Sequence, residues 1–266
     1  MATLLGPAQQ EPALVALPAL GEQEAVLVPE GPRHLYLTLK LMLDLLLAAV
    51  LLVLTAPVLV LCAVLVRLTS RGPAFYSQVR LGLGGRPYRI YKLRTMYHRC
   101  ELHSGAVWSQ KGDPRVTPLG RFLRKTHLDE LPQLWNILKG DMSLIGPRPE
   151  RPEFIPSLAK AVPLYAYRMT VRPGVTGLAQ VQLPADSDLA GVRAKVAHDL
   201  YYIEHAGAGM DLRILAGTAL KVFGASFAWI RRCFRLPGPG AVEQHYQKMQ
   251  STAASAREAA ELVGSS

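Results

Sequence analysis

From Leu45 to Val66 the chain runs for 22 residues without a charged side chain. As a helix rising about 1.5 Å per residue this stretch would measure about 33 Å, enough to cross a hydrocarbon core about 30 Å thick. Pro57 interrupts it, and a proline inside a helix removes a backbone donor and clashes with the preceding turn, which predicts a kink or break near Ala56. Beyond Pro57 only about 18 Å of helix remains before the polar flank. Two geometries stay open: a hairpin that enters and leaves one face of a membrane, and a spanning helix with a tolerated kink. Arg33 and Lys40 precede the run and Arg67 and Arg71 follow it, and basic flanks favour placing both ends on the cytoplasmic side. Asp44, four residues after Lys40, can pair with it on one helical face or mark the interface.

After this segment the pattern changes. Ala74 to Arg80 and Tyr88 to Arg94 carry the β-branched and aromatic residues of strands, joined by a turn through Gly82, Gly84 and Gly85. The glycines therefore belong to a hairpin rather than to a phosphate-cradling loop, because no helix opening follows them. Lys92 and Arg94 alternate on one face of the second strand, where they could reach a common anion. Leu128 to Leu138 reads as a short helix with Pro132 in its first turn and Gly140 past its end. Asp199, Tyr201 and Tyr202 fall on a further helix. Asp211 to Phe223 carries an apolar stripe that can cover the core or lie flat on a membrane surface.

Half of the 266 residues are hydrophobic and the formal net charge is +10. Arg67 to Lys125 holds 13 Lys or Arg against Glu101 and Asp113, so its +11 exceeds the charge of the whole chain. Such density directly after an apolar segment suits anionic headgroups and phosphates, although most of these cations are expected to form a solvated face. Nucleic acid would fit the charge as well. The three cysteines, Cys62, Cys100 and Cys233, show no paired spacing, and the seven histidines form no helical pair, so no disulfide framework, zinc site or histidine metal site is expected. The first 32 residues contain no Lys or Arg, unlike a secretory signal. From Pro237 onward strong apolar periodicity fades, which predicts a frayed helix or coil.

Two adjacent acids, Asp129 and Glu130, stand at the start of the Leu128 helix. Alone, such a pair is usually a helix cap. Here Arg121, Arg124 and Lys125 precede it, and Arg148 follows between two prolines. Two carboxylates bracketed by cations suit phosphoryl chemistry, in which a carboxylate attacks phosphorus while arginines and Mg²⁺ neutralise charge on the phosphoryl oxygens. Magnesium needs only one or two protein carboxylates where substrate phosphates supply other ligands. Arg172 to Gly177 forms a second stiff basic turn that is equally structural or ligand-binding.

The run Tyr91, Lys92, Leu93, Arg94, Thr95, Met96, the block from Leu128 through Leu138 to Pro149, and the turn from Arg172 to Gly177 together resemble the bacterial sugar transferases, the monotopic phosphoglycosyl transferases. The match covers roughly Leu37 to Phe223, with the motifs in the right order. It implies a mixed α/β fold, mostly helical with a small β-hairpin, in a monotopic membrane protein with a re-entrant N-terminal helix and interfacial amphipathic helices. It implies Mg²⁺ held by Asp129 and Glu130, and a two-step reaction on a UDP-sugar. Asp129 would be the nucleophile that releases UMP, with Glu130 as its partner, and the phosphosugar would pass to polyprenyl phosphate. Arg124, Arg148 and Asp199 match family positions tied to activity; Lys92, Arg94 and Arg172 are the further candidates for binding phosphate or nucleotide. Partners would be a UDP-sugar, polyprenyl phosphate and membrane lipids, without nucleic acid and with homodimer formation left open. The location implied is the bacterial inner membrane, with the catalytic domain facing the cytoplasm.

The expected organisation is a flexible extension (1–32), a re-entrant helix broken at Pro57 (33–69), a catalytic domain (70–235) and a flexible tail (236–266). Two other functions compete: a membrane-anchored module that binds polyanions without turnover, and a glycosyltransferase that moves only the sugar and releases UDP. The ordered motifs around Asp129 speak against the first.

Overall fold

The computed structural model describes residues 13–16, 25–28, 33–100, 112–184 and 188–264. The expected extension 1–32 lies outside these residues, apart from two short antiparallel strands, β1 (Ala13–Ala16) and β2 (Ala25–Val28). The apolar run lies within α1 (Arg33–Thr69), which continues through Pro57. The expected break is thus absent from the backbone. Proline removes one helical hydrogen bond, and the helix is held on both sides of that position. Ala48 packs into the main core, while Cys62 and Val66 pack with Leu93 and Leu123 in a second cluster. Most of the remaining apolar side chains of α1 face outward; Val53 is 74% exposed and Leu54 69%. α1 is the one described helix long and apolar enough to cross a membrane.

Each end of α1 is anchored to the domain by polar contacts. Near its start Lys40 donates to Asp211 at 2.8 Å and lies 3.6 Å from Asp44, which accepts from the Ser143 hydroxyl. Near its end the guanidinium of Arg94 donates to the carbonyls of Ser70, Arg71 and Pro73 at 2.6–2.9 Å. These carbonyls follow the helix end; within the helix Arg94 Nη2 reaches Val66 at 3.5 Å, one of the last carbonyls that a helix leaves without intrahelical donors.

The hairpin forms as expected. β3 (Phe75–Leu81) pairs antiparallel with β4 (Pro87–Leu93), Phe75 opposite Leu93 and Leu81 opposite Pro87. Gly84 and Gly85 take positive φ in the turn, the conformation that glycine adopts without steric cost. After α2 (Pro118–Lys125) and α3 (Gln133–Leu138), the chain enters β5 (Ser143–Ile145), which runs parallel to β6 (Gly174–Thr176). A Cβ at Gly146 would lie 2.4 Å from the Arg172 carbonyl oxygen, and one at Gly174 would lie 2.1 Å from the Gly146 nitrogen. Only glycine lets the loop after β5 and the turn into β6 touch.

The remaining helices are α4 (Ile155–Ala161), α5 (Leu178–Gln182), α6 (Leu189–His205), α7 (Ala208–Val222), α8 (Phe227–Cys233) and α9 (Pro239–Gly264). α6 starts at Asp188, whose carboxylate accepts from the Gly191 amide at 2.7 Å. On α7 Ile214 and Gly217 face the core, as the first of the two expectations has it, while Leu212, and Phe223 just past the helix, are exposed. Of the frayed helix and the coil expected for the tail, the structure has a helix, the 26-residue α9, and packs its first half onto the core. Val242, Tyr246 and Met249 make a short apolar stripe that packs into the main core, and the Tyr246 hydroxyl donates to the Pro163 carbonyl at 2.9 Å. Three anchors in a polar sequence give weak periodicity, yet fully buried Tyr246 holds the helix.

Candidate active site

The chain reaches the acidic pair through a forced turn. Thr117 caps α2 by accepting from the Gly120 amide, and a Cβ at Gly120 would lie 2.0 Å from the Thr95 carbonyl oxygen. α2 therefore lies directly against the end of the hairpin. His127 adopts a left-handed conformation (φ 56°) and turns the chain into a 3-10 segment, Leu128–Glu130. The single helix expected from Leu128 is thus divided. Pro132 has no N–H to return to the Leu128 carbonyl, so the amides of Glu130, Leu131, Leu134 and Trp135 bond three residues back instead. α3 follows from Gln133.

Asn136 on α3 fixes the register between this segment and the hairpin. Its amide donates to the Arg89 carbonyl at 2.7 Å, and its Oδ1 accepts from the Tyr91 amide at 3.0 Å. That contact places Lys92 beside the pair. Lys92 Nζ donates to Glu130 Oε1 at 2.7 Å, and Arg148 donates to the same oxygen at 2.6 Å and to Oε2 at 3.4 Å. Glu130 is thereby engaged by two cations. Burial alone would raise its carboxyl, but Arg148 and Lys92 outweigh burial and hold it well below the usual carboxylate range. Burial pushes the Lys92 ammonium down, against the pull of Glu130.

Asp129 is different. It is 7% exposed, and among the described residues no hydrogen bond reaches its carboxylate. Burial and the neighbouring Glu130 charge push it up to about 6, against Lys92, Arg124 and Arg148. The pair therefore consists of one neutralised carboxylate and one with its oxygens unengaged. Such an oxygen can attack an electrophilic phosphorus or bind a cation. Among the described residues no cluster of three or more acidic, histidine or cysteine side chains could hold a metal by itself.

Of the other expected site residues, Arg124 lies close: it donates to the Thr95 hydroxyl at 2.9 Å and its charge acts on Asp129. Three are elsewhere. Arg94 spends its donors on the carbonyls just after α1, so the expected Lys92–Arg94 anion site does not form. Arg172 donates to the Gly140 carbonyl at 3.1 Å. Asp199 is buried on α6, where Arg168 Nε donates to it at 2.7 Å. Arg168 also donates to the Tyr165 hydroxyl at 3.0 Å and to the Arg148 carbonyl at 2.8 Å. Asp199 thus acts through Arg168 on the backbone of Arg148.

Glu130 and Arg148 line a cavity of about 430 Å³ whose wall continues through Arg80, Glu150, Lys195 and Lys221. Its lining also includes apolar Leu131, Leu134, Val175 and Leu183. Arg80 is one of the 13 cations between Arg67 and Lys125, and Lys221 lies near the end of α7; neither pattern marks a site. Glu150 and Lys195 carry no local signal, being 45 residues apart along the chain.

A family model described as bacterial sugar transferase matches residues 35–225. The chain is 44% identical over 197 residues to a UDP-N-acetylgalactosamine-undecaprenyl-phosphate N-acetylgalactosaminephosphotransferase of Aeromonas hydrophila; the match covers 73% of this chain and 46% of that protein. It is 45% identical over 181 residues to a UDP-glucose:undecaprenyl-phosphate glucose-1-phosphate transferase of Caulobacter vibrioides, covering 67% of each. An exopolysaccharide production protein of Rhizobium leguminosarum is 41% identical over 172 residues, 62% of this chain and 86% of that one. The chain thus spans less than half the length of the Aeromonas relative.

Proposed function

Because this chain belongs to the bacterial sugar transferase family, we propose that it moves a sugar-1-phosphate from a UDP-sugar to polyprenyl phosphate, of the undecaprenyl type, and releases UMP. The observation that carries this reading is the unequal acidic pair, with Glu130 held by Lys92 and Arg148 and the oxygens of Asp129 free of hydrogen bonds. In the first step an Asp129 oxygen attacks the sugar-bearing phosphorus, and the bond from that phosphorus to the bridging oxygen breaks as UMP leaves. In the second, an oxygen of polyprenyl phosphate attacks the same phosphorus, freeing Asp129 and forming a polyprenyl diphosphate sugar. Lys92, Arg124 and Arg148 surround the charge that develops on the phosphoryl group.

Magnesium fits this donor set through Asp129, with diphosphate oxygens and water completing its shell. Glu130, whose oxygens are engaged by cations, would hold the ion only by giving up one of them. When bound, the ion would neutralise charge on the phosphoryl oxygens.

The monotopic placement is supported by α1 touching one domain near both ends, through Lys40 and Asp44 at the start and through the Arg94 contacts at the finish. A crossing along its whole length would draw one set of these contacts into the membrane. A re-entrant insertion with both ends on the cytoplasmic face of the inner membrane keeps both sets in place. The reaction would open the assembly of a lipid-linked glycan such as an exopolysaccharide, a capsule, an O-antigen or a protein-linked glycan; the resemblance to the Rhizobium exopolysaccharide protein favours the first.

The test uses membranes containing the full chain, a panel of UDP-sugars, Mg²⁺ and undecaprenyl phosphate. UMP release that is lost in Asp129→Asn is the expected result. Release of UDP would favour transfer of the sugar alone, and no turnover would favour a binding module. Full activity of Asp129→Asn would remove Asp129 as the nucleophile.

A further inference from the structure

The cavity has a second polar group that the phosphoryl chemistry leaves unused. Glu150 lies two residues after Arg148, between Arg80 and Lys195. Its Oε1 accepts from Arg80 at 3.3 Å and from the Arg151 amide at 3.1 Å, and its Oε2 accepts from Lys195 at 3.4 Å. The three side chains are only 10–16% exposed, yet all line the cavity. These ion pairs are long beside the contacts of 2.6 and 2.7 Å at Glu130. A carboxylate offers about four acceptor positions and these contacts use three, so Glu150 can accept one donor more.

An acceptor, Glu150, is met by two donors, Arg80 and Lys195, and apolar Leu131, Val175 and Leu183 share the lining. A hexose presents the complement: hydroxyls that donate to a carboxylate and accept from cations, and C–H groups that rest on apolar side chains. A second phosphate fits less well, because it would face the Glu150 carboxylate. A uracil could match the hydrogen bonds, but in a UDP-sugar it is separated from the sugar-bearing phosphate by a second phosphate and a ribose. The hexose is joined to that phosphate through one oxygen. Glu150 lies close enough to Arg148 for their charges to interact, so the group next to the reacting phosphorus is the one within its reach.

We propose that Arg80, Glu150 and Lys195 form the hexose subsite of the cavity, with Glu150 as the specificity-determining residue that accepts from sugar hydroxyls. This rests on the transfer reading above. A site that hydrogen-bonds a substrate hydroxyl rejects an analogue that misplaces it, because its own polar groups are then left unpaired.

The test measures UMP formation by the full chain in membranes, from UDP-glucose, UDP-galactose and their two N-acetylamino counterparts, for wild type, Glu150→Gln and Lys195→Gln. UMP is also added as an inhibitor; it lacks the hexose and so reports on the nucleotide end alone. Both variants are expected to lower kcat/KM for the preferred sugar about tenfold, to narrow its lead over the epimer at least fivefold, and to leave inhibition by UMP unchanged within twofold. Either variant suffices should the other fail to fold. Sugar ratios unchanged within twofold while wild type is active overturn the subsite alone. Weakening of UMP inhibition in step with turnover also overturns it, by placing the nucleotide at this cluster. Wild type that releases no UMP from any of the four sugars overturns the transfer reading and the subsite with it.

Discussion

Two buried groupings of acids and cations differ in what they leave over. In one, Asp199 and Arg168 pair at 2.7 Å, and Arg168 spends its other nitrogens on Tyr165 and the Arg148 carbonyl. Burial raises the Asp199 carboxyl, against Arg168 and Lys195, but no oxygen faces the cavity. In the other, Lys92 and Arg148 converge on Glu130, and adjacent Asp129 receives none of their hydrogen bonds. A buried charge that is fully paired is structural; one left beside a satisfied neighbour is poised to react. The imbalance between two acids separates the reactive centre from its support.

The largest expected effect breaks that imbalance outright. Asp129→Asn should lower UMP release by at least about a thousandfold, as expected for loss of a nucleophile. It should also stabilise the fold. Asp129 has its carboxyl at about 6 in the folded protein against 3.8 in a free chain. The folded state therefore binds its proton more tightly, and stability falls as pH rises through this window. At neutral pH that costs up to about 3 kcal/mol, and a higher melting temperature at pH 7 that vanishes near pH 4 is the sign to look for.

Next in size is the support. Asp199→Asn leaves Arg168 buried with its charge unpaired, a loss on the order of 3 kcal/mol in stability. Because Arg168 holds the Arg148 backbone, kcat should fall about tenfold with KM little changed, which steady-state kinetics on the folded fraction would resolve. Arg94→Met separates anchoring from chemistry. It should lower the melting temperature by removing donors from the carbonyls of the segment just after α1, while UMP release per folded molecule stays within about threefold. A hundredfold loss of kcat would return Arg94 to the reactive centre.

The smallest effect sharpens the comparison through pH. If ionised Asp129 is the nucleophile, turnover should rise with pH as its carboxyl ionises, a step that falls at about 6 before Mg²⁺ and substrate bind. In Glu130→Gln the neighbouring anion is gone and Lys92 and Arg148 act on Asp129 alone, so the residual activity should begin its rise at lower pH. A rise that moves upward instead would show that Glu130 does not raise Asp129.

Much of the framework was legible because it depends on near neighbours in the chain. The uncharged run over Leu45–Val66, the hairpin turn at Gly84 and Gly85, and the cations flanking Asp129 and Glu130 are visible in short windows. The errors have physical causes. The packing of α9 escaped because three apolar anchors suffice when Tyr246 is fully buried, a degree of burial that periodicity cannot express. Arg94 looked like a partner of Lys92 because both follow the strand alternation, yet β4 ends at Leu93 and Arg94 turns toward α1.

The sequence by itself therefore determined the long apolar helix, the hairpin and the presence of an acidic pair among cations, since apolar run length, turn chemistry and charge density are read in short windows. Only the tertiary structure decided which acid is neutralised. Lys92 reaches Glu130 across 38 positions, Arg168 reaches Asp199 across 31, and Ser143 reaches Asp44 across 99. Each of these contacts depends on how the elements pack, and hydrogen bonds select partners by distances of a few tenths of an ångström that no spacing along the chain encodes.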